Sequence, residues 1–482
     1  MLAFSITRIN IPGREAAIFN KLRFAKLFLL APLVIFAVEG PARGDTIHVP
    51  TDVSSIQAAI DSAQQGDEII VGSGIYMETI DFLGKAIVVR SSGGPLVTVI
   101  DGSQANVSVV RSVNGEGPDT IIEGFTITGG NVSDVGGGML NIDSSPTVID
   151  MIFTGNSAGD RGGGMYNRNA SPRVENSLFD GNTSGAMGGG MFNIEGSSPT
   201  IVGSRFTANT SNKGAGMRNY IDSHPTVTKS IFSFNHAGEE GGGMDNRKNS
   251  NPVVTDTLFI GNTAGSGGGA IHNYVGRAVA TGNPVFINVL IVGNTAPSGA
   301  GMRNNDPSPT IINTTIAHNN GSGISSRKRS APVLVNTVVW GNTGGSFSGQ
   351  SAASTVASYS NIEGGFPGTF NVNVDPLFVN PAANDYRLSA TSPLIDTGFT
   401  SHPLLPAQDL DGNPRIVGAV VDMGPYEFGV CPVGETCGPG NVAPAASFDF
   451  VCADLSCSFQ DTSQDSDGFI DAWSWSFGDG IG

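Results

Sequence analysis

Asparagines recur at Asn141, Asn167, Asn193, Asn219, Asn246, Asn273 and Asn304, so the step is 26 or 27 residues until a last one of 31. A second column runs Asn156, Asn182, Asn209, Asn235, Asn262, Asn294, Asn319 and Asn342. Prolines (Pro146, Pro172, Pro199, Pro225, Pro252), phenylalanines (Phe153, Phe179, Phe206, Phe232, Phe259) and methionines (Met139, Met165, Met191, Met217, Met244) keep the same phase. A period of this length means one structural unit stacked on its own copies. Three glycines and a proline in each unit forbid helical repeats, and the leucine pattern of leucine-rich repeats is missing. What remains is a coil of short strands, each pairing in parallel with the same strand one coil later, about 4.8 Å away.

Such stacking assigns roles to the columns. Inward phenylalanines and methionines pile into a continuous core. The asparagines Asn156, Asn182, Asn209, Asn235 and Asn262 are expected to take tight left-handed turns and to hydrogen-bond to each other in a ladder. The 67 glycines serve where φ is positive or where backbones pass closely. Ahead of the repeats, "VPTDVSSIQAAIDSAQQGDEIIV" predicts a capping helix. Its N-cap is Ser54 or Ser55, and Ile56, Ala59, Ile60 and Ala63 share one face. An amphipathic helix there covers the open edge of the first coil.

The stretch "SIQAAIDSAQQGDEIIVGSGIYME" resembles the opening of right-handed parallel β-helix proteins of the pectate-lyase and pectin-esterase superfamily. The fold expected is therefore all-β, a right-handed single-stranded parallel β-helix (solenoid) with an N-terminal capping helix over residues 45–428, its regular repeats spanning about 136–345. Further on, "DPLFVNPAANDYRLSATSPLIDTG" and "DLDGNPRIVGAVVDMGPYEF" resemble the terminal segment of secreted bacterial "choice-of-anchor" proteins. Residues 429–443 read as a linker. Residues 444–482, with "DTSQDSDG" and "WSWSFGDG", resemble about half of a PKD domain, an immunoglobulin-like β-sandwich.

Export is the expected destination. Lys21, Arg23 and Lys26 precede the apolar run Leu27–Val38, with Ala42 and Gly44 at signal-cleavage positions, which makes residues 1–44 an extension and signal peptide. Twelve apolar residues interrupted by Pro32 are too few to span a bilayer. The four cysteines form two close pairs, Cys431 with Cys437 and Cys452 with Cys457, read as local disulfides of an oxidising compartment. Calcium could bind the "DLDGNP" loop through Asp409, Asp411 and Asn413, or Asp461, Asp465 and Asp467, but acidic turns account for both, and no cofactor is required.

A net charge of −17 argues against nucleic acid. The outward positions of the repeat suggest a sugar polymer instead. Next to the methionine column stand Leu140, Tyr166, Phe192, Arg218, Asp245, His272 and Arg303. Next to the asparagine column stand Ile142, Arg168, Ile194, Tyr220, Arg247, Tyr274 and Asn305. Aromatic faces stack on pyranose rings, and arginines fork to carboxylates. On this reading Tyr166, Phe192, Arg168, Tyr220, Arg247 and Tyr274 bind substrate. Asp245, His272, Arg218 and Arg303 would carry any catalysis, with a base beside the acidic proton of a uronic acid and a cation on its carboxylate. The family's catalytic signatures are missing: the chain has no Asp-Asp dipeptide and nothing like "DFIFG" or "WIDH". The function expected is binding of an extracellular polysaccharide in a groove on the stacked strands. The alternatives are a polysaccharide lyase or glycoside hydrolase acting on uronic-acid polymers, and an adhesin-like scaffold towards a host or neighbouring cell.

Overall fold

A computed structural model describes residues 44–276, 283–349 and 354–429, and the strands Phe448–Ala453 and Ser456–Asp461. One repeat is one coil of a parallel β-helix. In the coil that begins at Gly162, Met165–Arg168 belongs to an 11-stranded sheet. Arg173–Glu175 and Leu178–Asp180 belong to a 23-stranded sheet, and Thr183–Ser184 to a 6-stranded one. Each strand pairs in parallel with its equivalent one coil on, Met165 opposite Met191 and Phe179 opposite Phe206. The sequence period and the structural period coincide.

Inside, Phe153, Phe179, Phe206, Phe232 and Phe259 are fully buried and stacked, with ring centroids 4.6–4.8 Å apart and planes within 9°. Offset stacking at that spacing adds about 0.5–1.5 kcal/mol per pair beyond burial. Asn141 donates through Nδ2 to Asn167 Oδ1 at 2.8 Å, and the same bond repeats up to Asn304. In the second ladder Asn182 Nδ2 donates to Asn209 Oδ1 (3.1 Å) and to the carbonyl of Phe153 (2.8 Å). A third ladder was not anticipated. The hydroxyls of Ser177, Ser204, Ser230 and Thr257 accept backbone N–H groups from the preceding coil.

One expectation about backbone is corrected. The ladder asparagines do not take the left-handed turn; the residue before each of them does, as at Gly155, Gly181, Ala208, Phe234 and Gly261. The amide must point inward to bond along the axis, so the corner falls one position earlier. Gly162, also left-handed, has a different reason: a Cβ there would lie 2.8 Å from that of Tyr166.

The N-terminal end is closed by the helix Ile56–Ser62, whose Ile56, Ala59 and Ile60 are buried. Ser55 is the N-cap, its side chain accepting from Ala58 N–H. The Glu78 carboxylate accepts from Ile56 and Gln57 N–H as well, at 2.9 Å each, and so satisfies two further free donors of the first turn. At the other end residues 364–374 cover the last coil, where Asn371 bonds the backbone of Ala357 and Ser360.

Residues 375–428 then fold back along the outside of the coils. They land where outward residues turn apolar: Tyr386 packs with Leu290, Val292 and Ala317. Asn288 and Asn336, themselves left-handed corners, bond this segment's backbone at Gln408 and Phe399. The Asp409 carboxylate accepts from Asn413 and Glu427 N–H, which makes "DLDGNP" a turn locked to the segment's end. Phe448–Ala453 and Ser456–Asp461 pair antiparallel with Cys452 opposite Cys457. Cys431, Cys437, Asp465, Asp467, the remainder of the PKD-like stretch and the signal-peptide stretch up to residue 43 lie outside the described residues. No described helix is long and apolar enough to cross a membrane.

Candidate ligand-binding face

The outer face of the 11-stranded sheet carries both outward columns in strict register. Leu140, Tyr166, Phe192, Arg218, Asp245, His272 and Arg303 follow one another across the strands, and so do Ile142, Arg168, Ile194, Tyr220, Arg247, Tyr274, Asn305 and Arg327. The first column is not open to solvent. Backbone entering each glycine-rich corner lies against it: a Cβ on Gly188, Gly214, Gly241 or Gly268 would come within 2.8 Å of the Cβ of Phe192, Arg218, Asp245 or His272. Glycine at those corners is what lets the chain fold over this face.

Its N-terminal half is apolar. Tyr166 and Phe192 stack at 5.6 Å and are buried in a cluster with Ile194, Val135, Leu140 and Met187. The structure therefore places these two rings against each other rather than facing a groove. Arg168, one strand position further, is exposed.

The C-terminal half is charged. Asp245 and His272 are both 0% exposed, and His272 Nδ1 lies 2.7 Å from Asp245 Oδ1. The other ring nitrogen, Nε2, lies 3.2 Å from Asn305 Nδ2. These partners fix the tautomer, with Nδ1–H donating to the carboxylate and Nε2 accepting from the amide. Burial holds the imidazole below its usual value, outweighing the Asp245 carboxylate beside it. Arg218, with a side chain 3% exposed, has Nη1 3.1 Å from Asp245 Oδ2, and Arg247 Nε lies 3.1 Å from the same oxygen. Burial lowers Arg247 to about 10, with the like charge of Arg218 adding to the effect. Arg247 also pairs with Glu240, which reaches towards Arg303 on its other side.

Around this cluster stand aromatic rings and cations. Tyr220 has the Arg218 guanidinium 5.1 Å and the Lys248 ammonium 4.6 Å from its ring centroid. Tyr274 has Arg247 at 5.1 Å and Lys328 at 4.6 Å. Lys248, Arg327, Lys328 and Arg329 are exposed along this edge. The structure thus brings together Arg218, Asp245, His272, Arg303, Arg247, Tyr220 and Tyr274, and leaves Tyr166, Phe192 and Arg168 in the coils before them.

Glu240, Asn305, Lys248 and Lys328 were missed as site residues. A signal for Glu240 existed: in the column Val135, Arg161, Met187, Lys213, Glu240, Gly267 it is the one acid. Among the described residues no group of three or more His, Cys, Asp or Glu side chains could hold a metal ion.

No protein-family model matches the chain, and no curated protein does. Solved structures similar to it include the pectate lyase Pel9A, with a TM-score of 0.43 and 17% identity over 80% of this chain and 96% of that one. The PL6 family alginate lyase AlyGC gives a TM-score of 0.42 and 14% identity over 76% of this chain and 59% of that one. A mannuronic acid specific family 6 lyase from human gut microbiota gives 0.33 and 12%, over 68% and 81%. These neighbours are polysaccharide lyases.

Proposed function

We infer that this is an exported protein that binds an acidic extracellular polysaccharide along the outer face of its 11-stranded sheet. The observation that carries the reading is the row of cations on that face in a chain of net charge −17. Arg168, Arg247 and Arg327 share one register column and Lys248 and Lys328 flank it, with Arg247 paired to Asp245 and Glu240 and Lys328 to Asp306. Stacked coils repeat every 4.8 Å or so, a step close to the length of one sugar ring, so a linear polymer can meet equivalent positions in succession. Guanidinium forks match carboxylates, and the ammonium groups add charge without demanding geometry. The closed Asp245–His272 pair favours binding over turnover, because both ring nitrogens are engaged.

Retention in gels containing polygalacturonate or alginate tests this. The wild type should be retarded by acidic polymers, not by neutral glucans, and released by salt. Lys248→Ala with Lys328→Ala should weaken retention about tenfold, which corresponds to about 1.4 kcal/mol. Absence of retardation on every acidic polymer would sink the reading.

A second reading, β-elimination, is supported by the Asp245–His272 dyad ringed by Arg218, Arg247 and Arg303. If Asn305 withdrew, His272 Nε2 could take the C5 proton beside a uronate carboxylate neutralised by an arginine. The C–H electron pair would form the C4=C5 double bond as the C4–O glycosidic bond breaks, and the departing oxygen would take a proton from water. Ultraviolet absorbance of unsaturated ends, abolished in His272→Ala, would distinguish turnover from retention alone.

A further inference from the structure

Within the charged cluster Asp245 joins Arg218 to Arg247, and Glu240 joins Arg247 to Arg303. Glu240 pairs with Arg247, and its Oε1 lies 3.7 Å from Arg303 Nη1. The three side chains are 19%, 15% and 13% exposed, while Asp245, which Arg247 also pairs with, and its partner His272 are at 0%. Glu240 ends the strand His236–Glu240, five residues long where the equivalent strand one coil on has two. The cluster holds three guanidinium groups against two carboxylates, Asp245 and Glu240. Its donors also exceed its acceptors: Arg218 Nε and Nη1 and Arg303 Nε are buried without a hydrogen bond, although Arg218 Nη1 is 3.1 Å from Asp245. Buried guanidinium donors left unpaired are costly, so the cluster has donors to spare for a better-placed carboxylate.

We propose that the Arg247–Arg303 fork is a carboxylate subsite, that Glu240 occupies it in the free protein, and that a carboxylate of an acidic polymer displaces Glu240 and uncovers the Asp245–His272 pair. This rests on the acidic-polymer reading above. Exchange of one carboxylate for another leaves the charge at the fork unchanged, and Glu240 is partly exposed at the solvent edge. Planar guanidinium groups offer the incoming group two parallel N–H bonds.

The test uses the full chain with Glu240→Gln, which keeps the size and removes the charge, and Glu240→Ala, which also removes the reach. Both should bind polygalacturonate at least about threefold more tightly than the wild type. In both, His272 should become reactive towards diethyl pyrocarbonate, read peptide by peptide, where the wild type without ligand is protected. Glu239→Gln is the control, because that carboxylate pairs with Lys213 at 2.8 Å and should alter neither readout. If the wild type binds and both Glu240 variants bind equally or more weakly, the subsite is overturned and the polymer reading stands. If nothing binds the polymer, that reading falls. The subsite is then judged by His272 alone, which must react in Glu240→Ala and stay protected in Glu239→Gln; an unreactive His272 overturns it.

Discussion

Asn182 makes four side-chain hydrogen bonds from a fully buried position. It donates to Phe153 O and Asn209 Oδ1, and accepts from the backbone and side-chain amides of Asn156. A leucine there adds apolar area but strands partners on both neighbouring coils. Each stranded buried group costs about 1–3 kcal/mol, so Asn182→Leu should lose roughly 3–5 kcal/mol in denaturant unfolding. Thr183→Val, at the next and exposed position, should stay within about 0.5 kcal/mol of the wild type. Equal stability of Asn182→Leu and wild type would contradict the ladder. Residue identity at the columns was legible because stacking forces one solution to repeat on every coil. The left-handed corner was misplaced by one residue because asparagine suits either role, a corner or an inward amide, and only the backbone path decides. The burial of Tyr166 and Phe192 was illegible for a related reason. Alternation along a strand says which side a residue faces, whereas the cover over that side comes from glycine corners four residues earlier.

At the scale of elements, the segment 375–428 shows how a non-repeating piece is held to a repeating one. Its docking groups come from columns that change character late in the chain. Left-handed corners that vary as Asp150, Asn176, Gly203, Lys229 and Asp256 in early coils are uniformly Asn288, Asn313 and Asn336 where the segment lies. Within it, Arg415 and Glu427 are buried side by side, with Arg415 Nε 3.4 Å from Glu427 Oε1. Burial pushes the Glu427 carboxyl up to about 8, against the pull of Arg415 and helped by the nearby Asp422. A raised folded value means the stabilisation is present below the ordinary carboxyl value of 4.5 and is lost as pH rises towards 8. Hydrogen-exchange protection of this segment should therefore fall by at least about tenfold between pH 5 and 8. Glu427→Gln should flatten that dependence while the coil amides keep theirs. A wild-type profile that is level, or that rises with pH, would show that the ion pair with Arg415 outweighs burial. The sequence marked this stretch as a terminal module, but its docking onto the coils carries no local signal: Asn336, whose side chain bonds the backbone of Phe399, stands 63 residues earlier along the chain.

The coils form a stack in which each strand pairs only with its equivalents one coil before and one coil after. Stability is then close to a sum of coil terms and interfaces, and a complete unit can be removed without altering the rest. Deleting residues 162–187, 26 in all, joins Arg161 to Gly188, so that Phe153 meets Phe206, Asn156 meets Asn209 and Met139 meets Met191. Every ladder closes again across the cut. This shortened chain should unfold cooperatively with only a modest loss of stability. Deleting 162–174 instead removes half a period and turns inward columns outward, and it should give no cooperative transition. The full-coil deletion also bears on function, since it takes away Tyr166 and Arg168 and leaves Arg218, Arg247, Lys248 and Lys328 in place. If the charged half of the face binds the polymer, retention on polygalacturonate should drop no more than about fivefold, the effect of one lost cation. Complete loss of retention in a deletion variant that still unfolds cooperatively would instead put the binding determinants in the apolar half, with Tyr166 and Phe192 opening to the ligand.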